Sequence, residues 1–119
     1  PAIRRSGANF IAEVIGGFML VLALLAVLSP GNFVPGSDLA KGFGPVLVGV
    51  IVAAIGLSLG GPTGYAINPA RDLGPRIAHA VLPIAGKGGS DWRYAWIPIV
   101  GPIVGGVLGA LLYKVMWKS

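Results

Sequence analysis

The chain has 119 residues, of which 55% are hydrophobic and only 11% are charged, with a mean hydropathy of +0.82. Soluble domains carry about 25% charged residues, so this composition argues against the soluble class and favours a membrane protein. The lack of cysteine excludes disulfides and thiolate metal sites, and the net charge of +5 is scattered without the clustering of a nucleic-acid site.

The first predicted element is an apolar helix over residues 8–28, which carries one charge, Glu13. At 1.5 Å per residue, such a helix crosses a hydrocarbon core of about 30 Å. A turn-rich connection over residues 29–41 leads to a second predicted span over residues 42–59, which has no charged residue. Three glycines at seven-residue spacing give this span a face for close packing or for lining a lumen. They are Gly42, Gly49 and Gly56.

The segment after the second span predicts a loop that enters the membrane and returns as a short helix. Residues 60–67 are too rich in glycine and proline to form a good helix. Asn68 then suits a helix N-cap and Pro69 the first helical position. A helix that ends near residue 81 is about 20 Å long, so it reaches the midplane without crossing the membrane. The re-entrant loop and half-helix together cover residues 60–81.

Three polar residues of this segment lie where an apolar chain has little reason to place them. They are Asn68, Arg71 and Asp72. Ionisable residues at membrane depth are rare and usually face a cavity or a polar partner. We therefore expect this segment to carry the function and the three spans to be its scaffold.

The third predicted span covers residues 94–116. Tryptophans lie near both of its ends, as is typical of side chains at the two membrane interfaces. Glycines at four-residue spacing, Gly101, Gly105 and Gly109, predict a close helix contact. The predicted fold is thus an all-α membrane protein with three transmembrane helices and one re-entrant half-helix.

Residues 60–76 resemble the second pore loop of the aquaporin and major intrinsic protein superfamily. The resemblance lies in the sequence NPAR at residues 68–71, after a glycine-rich loop and between two apolar spans. Members of the superfamily contain an inverted tandem repeat, and each half contributes three spans and one half-helix. The resemblance implies that residues 1–119 form a single C-terminal half-repeat. A pore then needs the missing N-terminal half or a second copy of the chain.

Several positions are similar to the glycerol facilitator branch of the superfamily. Asp72 directly after Arg71, with Arg76 four residues further on, is typical of that branch, whereas water-only members usually have a small residue at position 72. Gly56 matches a filter position that water channels often fill with histidine. Tyr65 matches an aromatic filter position, although phenylalanine is commoner there.

The resemblance implies a role for each residue of the pore loop. Tyr65 offers an apolar wall, Arg71 supplies guanidinium donors, and Asn68 both caps the half-helix and donates to a passing oxygen. The expected pore and selectivity residues are Gly56, Thr63, Gly64, Tyr65, Ala66, Asn68, Pro69, Ala70 and Arg71. Glu13 and Asp72 are expected to be structural supports, with Glu13 accepting bonds from the loop backbone. An alternative role for Arg71 is a structural ion pair with Asp72.

The leading functional interpretation is a passive channel for glycerol and small neutral solutes, with water as a companion permeant. It requires no cofactor, no metal and no catalytic residue. A water-selective channel is one alternative, and a non-conducting membrane fragment that binds partner helices through the glycines of the third span is another. The resemblance also implies a multi-pass protein of the cell membrane that contacts lipids and assembles as a homotetramer of complete channels.

Overall fold

In the part of the chain that the structure describes, three long apolar α-helices, one short α-helix and a 3₁₀ helix at Pro30–Asn32 are formed. The computed structural model describes residues 1–34 and 38–117, with the helices α1 (Ser6–Val27), α2 (Leu39–Leu59), α3 (Pro69–Val81) and α4 (Trp96–Met116). By length and composition, α1, α2 and α4 can each cross a membrane, and α3 is too short to do so. The fold class predicted from the sequence is therefore confirmed.

The starts of α1, α2 and α4 depart from the predicted spans by two or three residues, whereas their ends agree to within one residue. α2 begins at Leu39, three residues before the predicted start at residue 42, and it contains Pro45. α4 begins at Trp96 rather than at residue 94, because the residues before it form turns in which the amide of Tyr94 donates to the carbonyl of Asp91. Residues 35–37 of the predicted connection lie outside the described residues.

The principal helix contact joins α1 and α4. A Cβ atom at Gly105 would meet the backbone of Val14, and one at Gly109 would lie 2.6 Å from the carbonyl oxygen of Phe18. Gly101 lies equally close to α1. Hence the close helix contact predicted from these glycines is confirmed, with α1 as the neighbour. The alternative in which the same face binds partner helices does not fit this packing.

The side of the chain formed by α2 is open. α2 packs against α1, but Cβ atoms added at Gly42 and Gly49 would meet nothing within 4 Å. Large apolar side chains of α2 are also exposed, among them Leu57 with 91% of its surface accessible and Val50 with 60%. These faces are available to lipid or to a further protein segment.

Candidate functional site

The loop between α2 and α3 is held in an unusual backbone conformation by Glu13. Gly64, Tyr65 and Ile67 have positive φ angles of 78°, 44° and 43°, a region that costs a non-glycine residue about 1–3 kcal/mol. The buried Glu13 carboxylate accepts hydrogen bonds from the amides of Ala66 at 3.1 Å and Ile67 at 2.6 Å. Two charge-assisted bonds to adjacent amides fix the loop against α1.

The backbone carbonyls of this loop remain available as acceptors. In residues 1–34 and 38–117, the carbonyl oxygens of residues 63–66 accept no hydrogen bond from the protein. Irregular backbone at membrane depth is tolerated where it lines a water-filled cavity, because water or a solute then satisfies it. The four consecutive acceptors belong to Thr63, Gly64, Tyr65 and Ala66.

Asn68 caps the half-helix with one end of its side chain and keeps the other end free. Its Oδ1 accepts a 2.8 Å hydrogen bond from the amide of Ala70, and Pro69 occupies the first helical position. Within the described part of the chain, its Nδ2 donates to no protein group. The N-terminus of α3 carries roughly half a positive charge. A free amide donor and a positive helix end therefore coincide at Asn68.

Arg71 lies over the ring of Tyr65. The guanidinium carbon is 5.0 Å from the ring centroid, which is within cation–π distance. Arg71 is exposed, and among the described residues its guanidinium makes no ion pair. The side chain thus has its orientation fixed by an aromatic face while its N–H donors stay available.

The Tyr65 ring packs directly against two glycines. A Cβ atom at Gly56 would lie 3.0–3.2 Å from the ring, and one at Gly60 would lie 2.7 Å from Tyr65 Cδ1. The sequence interpretation gave Gly56 the role of leaving room for a wide solute, but the room directly above it is filled by Tyr65. Gly60 was missed, because a glycine count alone does not show which glycine a neighbouring ring contacts.

Asp72 forms its ion pair with Arg76 and not with Arg71. Arg76 Nε and Nη2 donate to the two carboxylate oxygens of Asp72 at 2.7 Å each, and both side chains are largely buried. The alternative in which Arg71 is the structural partner of Asp72 is therefore wrong. Adjacent residues on a helix point in different directions, whereas residues four apart are neighbours. That spacing is the signal by which Arg76 could have been identified.

The same arginine connects α3 to the loop that precedes α4. Arg76 Nη1 donates to the carbonyl oxygens of Ser90 at 2.6 Å and Asp91 at 2.9 Å. His79 Nδ1 lies 2.9 Å from the hydroxyl of Ser90. The Asp91 carboxylate in turn pairs with Arg4 at 2.9 Å. These contacts fix the loop to both α3 and the start of the chain.

Lys87 binds the carboxyl end of α3. Its ammonium group donates to the carbonyl oxygens of His79, Ala80 and Leu82 at 2.7, 2.9 and 2.6 Å. Carbonyls in the last turn of a helix lack intrahelical partners, and a cation there also complements the helix dipole. Lys87 is a second supporting residue that the sequence interpretation missed.

A polar cavity of about 390 Å³ lies beside α3. Its lining combines Arg71, the Asp72–Arg76 pair and polar groups of the loop before α4. Burial raises the pKa of the Tyr94 phenol, which also lines the cavity, so this group stays neutral near pH 7. The complete lining is Pro1, Thr63, Arg71, Asp72, Pro75, Arg76, His79, Gly89, Ser90, Asp91 and Tyr94.

Comparison with known proteins identifies the family. The family model described as major intrinsic protein matches residues 2–113. The chain is 64% identical over 98% of its length to glycerol uptake facilitator protein 3 of Lactiplantibacillus plantarum, and 54% identical over its whole length to the glycerol uptake facilitator protein of Bacillus subtilis. A probable glycerol uptake facilitator protein of Thermotoga maritima is 58% identical over 95% of the chain. The chain spans only 41–45% of the length of these relatives. It belongs to the major intrinsic protein family.

Proposed function

We propose that this chain forms the second half of a passive membrane channel for glycerol and other small neutral solutes, with water as a companion permeant. The observation that carries the proposal is the arrangement around Tyr65. Among the described residues, the Arg71 guanidinium makes no ion pair and lies 5.0 Å from an aromatic ring, and four consecutive loop carbonyls and the side-chain amide nitrogen of Asn68 have no protein partner. Named relatives at 54–64% identity that are glycerol uptake facilitators support it.

This arrangement suits the two faces of a polyol. Glycerol has an apolar carbon edge and a hydroxyl edge, and a narrow pore must replace the hydrogen bonds that its hydroxyls lose with water. Each unpaired polar group costs about 1–3 kcal/mol. The Tyr65 ring receives the carbon edge, Arg71 and Asn68 donate to the hydroxyl oxygens, and the loop carbonyls accept the hydroxyl protons.

Cation exclusion follows from the same groups. The N-terminus of α3 and the guanidinium of Arg71 place positive charge along the proposed path, which opposes cations, including hydronium. A neutral solute meets no comparable electrostatic barrier. The transport is therefore passive, and the chain supplies binding groups rather than a reacting group.

A complete pore in this proposal needs a second half. The chain spans less than half of its relatives, and the faces of α2 around Gly42 and Gly49 are open. An N-terminal half like that of the relatives is the partner we propose, and a second copy of this chain in the opposite orientation is the alternative. We further propose that four complete channels assemble as a homotetramer within the lipids of the cell membrane.

The proposal is tested by stopped-flow light scattering on proteoliposomes that contain the complete channel, in which this chain follows an N-terminal half. Vesicles with the wild type, Asn68→Ala or Arg71→Val are exposed to a glycerol gradient, which reports glycerol entry, and to a sucrose gradient, which reports water flux. Lys114→Gln, on α4 and away from the site, is the matched control. We expect rapid glycerol entry in the wild type and the control, and altered entry in both site variants.

The same vesicles separate the alternatives. Rapid water flux without glycerol entry supports a water-selective channel and overturns the glycerol proposal. Water and glycerol fluxes that both equal those of empty vesicles support a non-conducting protein. Vesicles made with this chain alone show whether a second copy can replace the N-terminal half.

A further inference from the structure

Both carboxylates in the polar cavity beside α3 are neutralised by an arginine. Asp72 is held bidentately by Arg76, at 2.7 Å for each oxygen. Asp91 is paired with Arg4 at 2.9 Å. A pair with two parallel hydrogen bonds and little exposure leaves almost no field from its carboxylate, because the opposite charge lies at contact distance.

Arg71 is a side-chain cation of this cavity that has no carboxylate partner among the described residues. Tyr94 stays neutral because burial raises its pKa. His79 shares a hydrogen bond with a serine hydroxyl and is in no ion pair in residues 1–34 and 38–117. Two arginines and two aspartates line the cavity, and Arg4 pairs with Asp91 from outside the lining. When Arg4 is counted, the side-chain charges have a positive excess, which lies at the arginine that also contacts the Tyr65 ring.

We propose that Arg76 preserves the cation exclusion of the channel by neutralising Asp72, and is thus a positioning residue that acts through the carboxylate. The inference rests on the proposed function. An unpaired carboxylate in a narrow cleft concentrates cations by 10-fold or more, and rings of acidic side chains select cations in other channels. The Asp72–Arg76 pair keeps the approach to Arg71 free of such a site.

A purely structural role for Arg76 makes a different prediction. Arg76 also donates to the carbonyls of Ser90 and Asp91, so its removal could loosen the loop before α4. However, Arg76→Gln and Asp72→Asn both break the same bidentate pair. If Arg76 acts only by holding the loop before α4 against α3, the two variants shift the ion leak in the same direction. If the charge matters, they shift ion preference in opposite directions, because one leaves a carboxylate and the other leaves a guanidinium.

The test measures potassium and chloride fluxes with ion-sensitive dyes in proteoliposomes of the complete channel. We expect Arg76→Gln to raise potassium flux about tenfold over the wild type. Asp72→Asn should leave potassium flux unchanged and raise chloride flux. The double variant Asp72→Asn with Arg76→Gln should return both fluxes to wild-type values, since a neutral amide pair keeps a hydrogen bond between the two positions.

Equal rises in potassium flux for the two single variants overturn the proposal, as does a double variant that leaks like Arg76→Gln. Unchanged ion fluxes in Arg76→Gln also overturn it. If Arg76→Gln does not insert, Asp72→Asn is compared with the wild type by itself, because it breaks the same pair from the other side. A rise in chloride flux without a rise in potassium flux then supports the proposal, and an unchanged chloride flux overturns it.

Glycerol entry in the wild-type vesicles keeps the two proposals apart. Wild-type glycerol entry equal to that of empty vesicles contradicts the proposed function, whatever the ion fluxes are. Rapid wild-type glycerol entry together with unchanged ion fluxes in the variants contradicts only the role given to Arg76.

Discussion

The buried carboxylate of Glu13 accepts a 2.6 Å hydrogen bond from the amide of Ile67, a β-branched residue with a φ angle of 43°. Residues of this type avoid positive φ, so the conformation depends on partners outside the loop. The other carboxylate oxygen receives the amide of Ala66. One side chain of α1 therefore sets the direction of the loop that carries Tyr65 and Asn68.

Glu13→Gln should destabilise the complete channel by about 1–3 kcal/mol. The amide keeps one acceptor but places a donor against a backbone N–H, which leaves a buried group unpaired. We expect a lower thermal unfolding midpoint in detergent and slower glycerol entry, because the loop loses its support. Asp38→Asn is the control, since its pair with Lys41 is exposed and should contribute little. Equal midpoints for Glu13→Gln and the wild type would contradict the role of Glu13.

Gly105→Ala should separate α1 from α4. The added methyl group would meet the backbone of Val14, which cannot rotate away, and overpacking of this kind costs about 1–3 kcal/mol. Gly106→Ala, one residue further, is the matched control, because its methyl group would meet only the Val21 side chain at 3.1 Å. Both changes favour the helix equally. The unfolding midpoint should fall for Gly105→Ala alone, and equal falls for both variants would argue against the contact.

The sequence predicted those features that depend on local rules. Long apolar segments indicate α1, α2 and α4, and the Asn68–Pro69 pair indicates the start of α3, because capping acts over two or three residues. The NPAR sequence pointed to the family that the comparisons confirm. The Asp72–Arg76 pair was also within reach, since it follows from four-residue spacing on one helix.

The position of the Tyr65 ring against Gly56 and Gly60 could not be predicted in this way. Its ring position depends on a positive φ angle, and the adjacent Ala66 is held by Glu13, which is 53 residues away in the chain. Hydrophobic periodicity carries no information about such a loop, because its backbone does not follow a repeating geometry. The contacts of Gly56 and Gly60 with the ring therefore became evident only in the folded chain.

Gly56→Val should slow glycerol entry by displacing the Tyr65 ring from its position against Gly56. A Cβ atom at this position already lies 3.0 Å from the ring, so the larger side chain moves the ring into the solute path. A rise of about 1.4 kcal/mol in the permeation barrier corresponds to about tenfold slower flux. Water, which is smaller, should be slowed less, as measured by stopped-flow scattering.

A second substitution identifies the cause of the slower entry. Tyr65→Ala combined with Gly56→Val removes the displaced ring and should make glycerol entry faster than in Gly56→Val alone. Persistent slow entry in the double variant would show that position 56 acts through some other contact than the ring. The pair thus tests whether Gly56 and Tyr65 share one space.

Lys87→Met should loosen the carboxyl end of α3. The methionine keeps most of the side-chain length but leaves the carbonyls of His79, Ala80 and Leu82 without their shared cation. A cation at a helix C-terminus contributes about 1–2 kcal/mol in a partly buried site, which corresponds to about 5- to 30-fold faster local opening. Hydrogen exchange of the amides in the last turn should accelerate by that factor.

Lys114→Met, in the last turn of α4, is the matched control and should leave exchange in α3 unchanged. Unchanged exchange in Lys87→Met would show that the three carbonyls are satisfied by solvent as well as by the lysine.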